Sequence, residues 1–421
     1  MKNNYGVVAL IMLFWFVISF ITNILGPLIP DIISNFNLSQ LVLAGFIPSS
    51  FFVAYAIMSV PAGIMVEKLN EKKVLIIGFS MPLLGSLCFA LFPSYGILLV
   101  SCFVIGLGMA MLQTVINPLT RVAGGEVNFA FFSVMGQLVF GLASFVSPMV
   151  YASLVFEMSE YKPGGSLFIG LLNSLVSSNM NWVALYWVFA FVLVLVIVII
   201  AFVRFPVIRL NDDEKAGSLS AYRALFKNRI VSLYFFGIFA YVATEQGIAN
   251  WISKFLEQYH HLSPLAEGAQ TVGRFWGFMS LGCLLGLVML KLFDSKKVLM
   301  VSSVGAMVAL VASVFGNAGI ALIGFPLIGF FISVMFSIII SLGMNSIDSH
   351  HGAMAGILCS GIMGGAVGPL LMGWLGDIIG LRMAMLGGLV TLGYIMSIAF
   401  WANPLVTNST VRLTELFWTK E

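Results

Sequence analysis

The feature that most constrains this chain is the recurrence of apolar runs about 20 residues long, the length a helix needs to cross the hydrocarbon of a bilayer. Twelve can be placed, near 6–28, 41–63, 74–92, 96–120, 129–153, 182–203, 231–256, 268–292, 298–316, 319–344, 353–376 and 383–402. Within hydrocarbon every backbone N–H and C=O must find its partner inside the segment, which excludes open strands and leaves helices. The chain is 60% hydrophobic and 9% charged, against about 25% charged in ordinary soluble domains. That much apolar surface cannot be hidden in globular cores, so an all-α membrane protein is expected. Soluble enzymes, nucleic-acid binders and disordered scaffolds fall away together. Cys88, Cys102, Cys283 and Cys359 lie within apolar runs and lack CxxC spacing, which fits packing better than a disulfide framework or a zinc site.

The longest polar interruption, Arg204–Arg229, divides six runs from six. The expected organisation is a six-helix bundle over residues 1–203, a linker at 204–230, a second bundle over 231–402 and a tail at 403–421. With the even-numbered connections and both termini on one face, here called the terminal face, sixteen Lys and Arg fall on that face. Four fall elsewhere, namely Lys162, Lys254, Arg274 and Arg382. Basic connections stay in the cytoplasm, which predicts both termini there, and the first span then acts as the targeting signal. Between spans five and six, Pro163-Gly164-Gly165 followed by SLFIGLLNSLV predicts a turn and a short surface-lying helix.

The connection after span two, Glu67–Gly78, and that after span eight, Lys291–Ser302, match in place. Each carries Lys-Lys-Val-Leu at the opening of the third span of its half, at Lys72–Leu75 and Lys296–Leu299, with an acid before it at Glu71 and Asp294. An internal six-helix duplication predicts this, and with it a two-bundle transporter whose substrate sits between the halves near the midplane. Glu67, Glu71, Lys72, Lys73 and Asp294 form a candidate cytoplasmic gate that latches neighbouring helices; the alternative reading is charge that only sets topology.

Ionisable groups inside spans are costly and usually functional. Away from span ends the sequence offers one carboxylate, Glu245, in YVATEQGIANW of span seven; Asp31 and Asp377 lie at span ends, and Arg274 a turn or two inside span eight. Glu245 must be protonated, paired or cation-bound, a requirement that can couple cation binding to conformational change. Helical spacing puts Gln246 and Asn250 on one face with Trp251 alongside, and Gly247 is expected to let the helix unwind locally. Amides beside an indole suit a sugar, whose hydroxyls both donate and accept and whose apolar ring face stacks on an aromatic. The first half adds Asn23 in span one, Gln113 and Asn117 in span four and Gln137 in span five, although a lone amide can equally tie helices together.

Several blocks carry a resemblance. LQTVINP at Leu112–Pro118, YVATE at Tyr241–Glu245, FWGFMSLGCLLG at Phe275–Gly286, SLG at Ser341–Gly343 and GGAVGPLLMGWLGD at Gly364–Asp377 resemble the corresponding spans of the major facilitator superfamily. Within it they are similar to the fucose permease and glucose/galactose transporter branch of sugar–cation symporters. The resemblance runs from Phe14 to about Gly380 and implies twelve transmembrane helices in two pseudo-symmetric bundles, alternating access and a monosaccharide substrate. Fucose-permease members carry an Asp in span one near Asn23 and a Glu at the position of Gln113, where this chain has amides. The branch's Gly-Arg of span eight is Gly282-Cys283 here, which makes Arg274 a possible replacement.

The expected function is import of a neutral monosaccharide together with H+ or Na+, with Glu245 as the coupling group. The expected setting is a bacterial inner membrane, the expected state a monomer, and no cofactor, structural metal or nucleic acid is implied. The alternative is a proton-coupled exporter of drugs or hydrophobic metabolites, which a cavity lined by Phe and Met would favour. The sequence offers no nucleophile–base pair and no phosphate-binding loop that would make an enzyme.

Overall fold

The computed structural model describes residues 5–124, 129–161, 166–177, 179–205, 225, 227–347 and 351–405. All the regular structure among them is helical. Numbered in chain order, span 1 comprises Tyr5–Thr22 and Leu25–Asn35, span 2 is Leu41–Lys68, span 3 Glu71–Leu91, span 4 Tyr95–Gly124, span 5 Phe129–Ser159 and span 6 Asn181–Phe202. Span 7 is Arg229–His260, span 8 Pro264–Leu292, span 9 Ser295–Phe315, span 10 Ala318–Met344, span 11 351–379 and span 12 Leu381–Trp401. Eleven of these are long and apolar enough to cross a membrane by composition alone. The remaining one, span 7, is 32 residues long and carries Glu245, Gln246 and Asn250 in its interior, so its polar centre dilutes an otherwise apolar helix. The expected short helix between spans 5 and 6 forms at Leu167–Leu175. Most of the central linker (206–224 and 226) and the tail beyond residue 405 lie outside the described residues.

Buried side chains gather into two cores. One is built from residues between Val7 and Ile200, the other from residues between Leu225 and Ala402. Three residues cross over: Ala366 packs into the first core, Ile29 and Ala44 into the second. Those exchanges mark the seams where spans 1 and 2 meet spans 7 and 11. Outward-facing apolar residues recur every three or four positions, as at Phe191, Leu195, Val198 and Phe202 of span 6 and Val301, Val304, Val308, Val311 and Phe315 of span 9. In water such stripes would be a liability; in lipid they are the solvated face.

The two halves repeat their local devices. Asn70 caps span 3 by accepting the Lys73 N–H, and Asp294 caps span 9 by accepting the Lys296 N–H. Lys72 then reaches the end of span 6, donating to the carbonyls of Ala201 at 2.6 Å and Val203 at 3.1 Å. Lys296, its counterpart in the duplication, donates to the carbonyl of Ala402 past the end of span 12 at 2.7 Å. A cation on the orphan carbonyls of a helix C-terminus satisfies acceptors that nothing in the helix can reach and opposes the helix dipole. Each lysine thus ties the third helix of its bundle to the sixth.

Two features of the seams position the functional site. Span 1 breaks at Asn23 and Ile24, four residues before Pro27, whose ring displaces the carbonyl of Asn23 and which has no N–H to continue the ladder. At the face opposite the terminal one, span 2 lies so close to span 11 that a Cβ on Gly45 would stand 2.9 Å from the Leu370 Cα.

Candidate functional site

Span 7 is capped at its start by the Asn228 side chain, which accepts the Ile230 N–H, and ends in a left-handed His261 with φ of 55°. It runs unbroken between these, so the expected unwinding at Gly247 does not occur. Gly247 serves close packing instead: a Cβ there would meet the Met372 methyl carbon at 2.8 Å. The break sits in span 1, because proline removes a backbone bond outright whereas glycine only lowers the cost of losing one.

Along span 7 four polar side chains form a chain. The Tyr241 hydroxyl donates to Glu245 Oε1 at 2.8 Å, and Gln246 Nε2 lies 3.4 Å from Glu245 Oε2. Asn250 Nδ2 donates to the Gln246 carbonyl at 2.8 Å and to Gln246 Oε1 at 3.2 Å. Among the described residues, both groups that hydrogen-bond the half-buried Glu245 carboxyl are neutral donors. That arrangement tolerates a proton or a bound cation on the carboxyl, which a permanent Lys or Arg partner would compete with.

The far end of this chain opens on a cleft between the bundles. Span 1 contributes Thr22, Asn23, Leu25 and Gly26; span 7 contributes Gln246, Ala249 and Asn250; span 8 contributes Val272 and Trp276. The cleft is too narrow for a water-sized sphere. Gly26 sets that closeness, since a Cβ on it would lie 2.6 Å from the Ala249 carbonyl oxygen. Opposite, Asn23 Nδ2 donates to Ser144 Oγ of span 5 at 2.8 Å, and Ser144 lies 2.6 Å from Ser19 Oγ. The broken end of span 1 is thereby anchored within its own bundle.

Of the residues singled out in sequence, Asn23, Gln246 and Asn250 come together in this cleft, and Glu245 adjoins it through Gln246. Gln113 is half-buried in span 4, Gln137 is exposed on span 5, and neither lines the cleft. The backbone of Asn117 is helical and its side chain lies outside what is described, as does that of Glu67. Trp251 is fully buried but turned toward span 11, where its Nε1 donates to the Pro369 carbonyl at 3.0 Å. Arg274 is exposed on span 8 and reaches Gln270 Oε1 of its own helix at 3.4 Å, away from Glu245's donors. Glu71 is buried, Lys72 and Asp294 make the contacts given above, and the Lys73 backbone completes the Asn70 cap. At the opposite face the Tyr151 hydroxyl donates to Asp31, and Asp377 accepts from the backbone of span 2. His260 is the last residue of span 7, its ring 5.8 Å from that of Phe255. Trp276, by contrast, is not marked as a site residue by the sequence, although it stands in the span-eight block FWGFMSLGCLLG. Only the packing of span 8 against span 1 reveals it.

Two six-helix bundles meeting over a polar cleft at mid-span define a transporter fold of the alternating-access kind. The chain belongs to the Major Facilitator Superfamily, whose sequence signature matches residues 11–366. It is 29% identical over 407 residues to the glucose/galactose transporter of Brucella abortus, covering 94% of this chain and 93% of that one. It is 26% identical over 396 residues to the L-fucose-proton symporter of Escherichia coli, covering 88% and 87%. Among solved structures, that of the E. coli fucose:proton symporter superposes with a TM-score of 0.68 at 23% identity, over 96% of this chain and 100% of the other. A bacterial homolog of the human lysosomal transporter Spinster, inward-facing and unoccupied, superposes with a TM-score of 0.78 at 16% identity, over 96% and 97%.

Proposed function

We propose that this protein is a secondary active transporter that imports a neutral hexose-type monosaccharide together with a cation, with Glu245 as the coupling group. The observation that carries the reading is the composition of the cleft. Among the described residues its polar lining consists of a hydroxyl, three amides and an indole, with no Lys, Arg, Phe or Met. An anionic substrate would call for fixed positive charge, and a hydrophobic one for Phe and Met, so the exporter alternative has no support in this lining. Hydroxyl groups, which donate and accept at one atom, match amides that do the same. The relatives named for glucose, galactose and L-fucose support the same substrate class.

Coupling follows from the chain Tyr241, Glu245, Gln246, Asn250. A cation or proton arriving at Glu245 changes what Gln246 can offer, and Gln246 is itself part of the cleft, so ion and sugar act on one hydrogen-bond network. The relatives named as proton symporters favour H+. The terminal face, with its excess of Lys and Arg, is proposed to lie in the cytoplasm of a bacterial inner membrane. The proposed state is a monomer.

The test is uptake of radiolabelled D-glucose, D-galactose and L-fucose into proteoliposomes under imposed proton or sodium gradients. Accumulation above equilibrium with one gradient is expected. Saturable uptake that neither gradient stimulates would remove the symport claim, and no uptake of any of the three would remove the substrate class.

A further inference from the structure

Two polar atoms in the cleft have no hydrogen-bond partner among the described residues: the carbonyl oxygen Oδ1 of Asn250 and the indole nitrogen Nε1 of Trp276. Both residues are 3% exposed. An unsatisfied buried polar group carries its full desolvation cost, so native proteins leave few of them, and those left have a reason. The neighbouring amide donors are already committed. Asn250 Nδ2 is held by Gln246, Gln246 Nε2 by Glu245, and Asn23 Nδ2 by Ser144. Asn250 Oδ1 and Trp276 Nε1 are a buried complementary pair, one acceptor from span 7 and one donor from span 8, lining a cleft whose other wall is the broken end of span 1.

We infer that Asn250 Oδ1 and Trp276 Nε1 together read a single hydroxyl of the substrate, which donates to the amide oxygen and accepts from the indole when the bundles part far enough to admit it. This rests on the sugar-transport reading and adds to it the residue pair that sets specificity. A hydroxyl satisfies both atoms at once. A charged group satisfies one and is repelled by the other, and a methyl or ring face satisfies neither, so the pair selects for a neutral polyol ring and against its deoxygenated analogue. Trp276 is here a donor fixed by burial against Phe275, with ring centroids 5.2 Å apart at 89°. Trp251, the other indole nearby, is excluded from this role because Pro369 already takes its N–H.

The experiment is competition against labelled D-glucose, D-galactose or L-fucose, whichever the purified wild-type protein transports best, by the monodeoxy and monofluorodeoxy analogue at every ring position. One position is expected where deoxy and fluoro analogues both weaken by about tenfold or more, because fluorine cannot donate and hydrogen can do neither. Trp276→Phe and Asn250→Leu should each weaken the parent sugar by about tenfold and shrink the penalty at that same position by at least about threefold. Trp251→Phe should leave the pattern across positions unchanged. Absence of any such position in the wild-type protein would overturn the inference with no variant needed. So would an unchanged penalty in either variant, or effects of the two variants on different hydroxyls. Failure of the wild-type protein to take any of the three sugars would instead bring down the substrate class itself, and this pair with it.

Discussion

The carboxylate of Asp377 accepts the backbone N–H of Leu41 at 2.6 Å and that of Val42 at 2.9 Å. A side chain at the end of span 11 therefore caps the first turn of span 2, and the cap crosses from one bundle to the other. Span 2 has no capping side chain of its own, since Gln40 at its N-cap makes no such bond. Removing the cap leaves orphan donors at a helix N-terminus and a dipole without its counter-charge, worth about 1 kcal/mol. That energy is present only while the bundles touch at this face. Asp377→Ala is therefore expected to favour opening there by about fivefold in the population ratio. Spin labels at the exposed residues Ser39 and Gln258, in a background without the native cysteines, should show the longer distances gaining population. An unchanged distance distribution would mean that the cap does not bias the gate.

Replacing Glu245 by Gln keeps the size of the side chain and its contact with Tyr241 but removes the charge that a cation needs. Gradient-driven accumulation is expected to fall to the equilibrium level while sugar-for-sugar counterflow persists at a reduced rate. Accumulation equal to the wild-type protein would strip Glu245 of its assigned role. Loss of counterflow together with accumulation would point to a structural part in the fold, and thermal unfolding of the purified variant would register it.

Lys72 and Lys296 occupy equivalent places in the duplication and hold equivalent helix ends. Lys72→Ala and Lys296→Ala are each expected to cost about 1 kcal/mol. The bonds lie in separate bundles and share no partner, so the double variant should show the sum. Unfolding midpoints in detergent test this, and a strongly non-additive pair would show that the two lysines act through the bundle interface rather than within their own halves.

How much of this was legible in sequence depended on whether a feature is local. The matched Lys-Lys-Val-Leu tetrads announced the duplication because identical capping problems at two helix ends select the same residue, so the match survives without knowledge of packing. That Gln246 and Asn250 share a face could be read from their spacing on a continuous helix, and the structure joins them by hydrogen bonds. The orientation of an indole is a different matter. Trp251 and Trp276 look alike in sequence, and which of them meets the cleft is settled by the partner each finds across the seam: Pro369 for Trp251, the broken end of span 1 for Trp276. Gly247 suggests a helix break in span 7, whereas the break falls at Asn23 and Ile24 in span 1, ahead of Pro27. Arg274 could be placed on span 8 by counting, but the face it presents follows from which sides of that helix spans 5 and 10 cover.

The seam at Gly26 yields the sharpest prediction about the transport cycle. A methyl group there must lie 2.6 Å from the Ala249 carbonyl oxygen and 3.3 Å from the Asn250 Cα, both backbone atoms that cannot rotate away. Overpacking of this kind costs about 1–3 kcal/mol. The cost falls only on conformations in which span 1 rests on span 7. If transport passes through that contact, Gly26→Ala slows uptake by about fivefold or more and shifts the Ser39–Gln258 distances toward the open form. Gly96→Ala, at a position where a Cβ would meet nothing within 4 Å, controls for the loss of a glycine as such. Wild-type uptake by Gly26→Ala would mean that the cycle never requires spans 1 and 7 to close on each other, and the cleft would then have to be loaded and emptied by another movement.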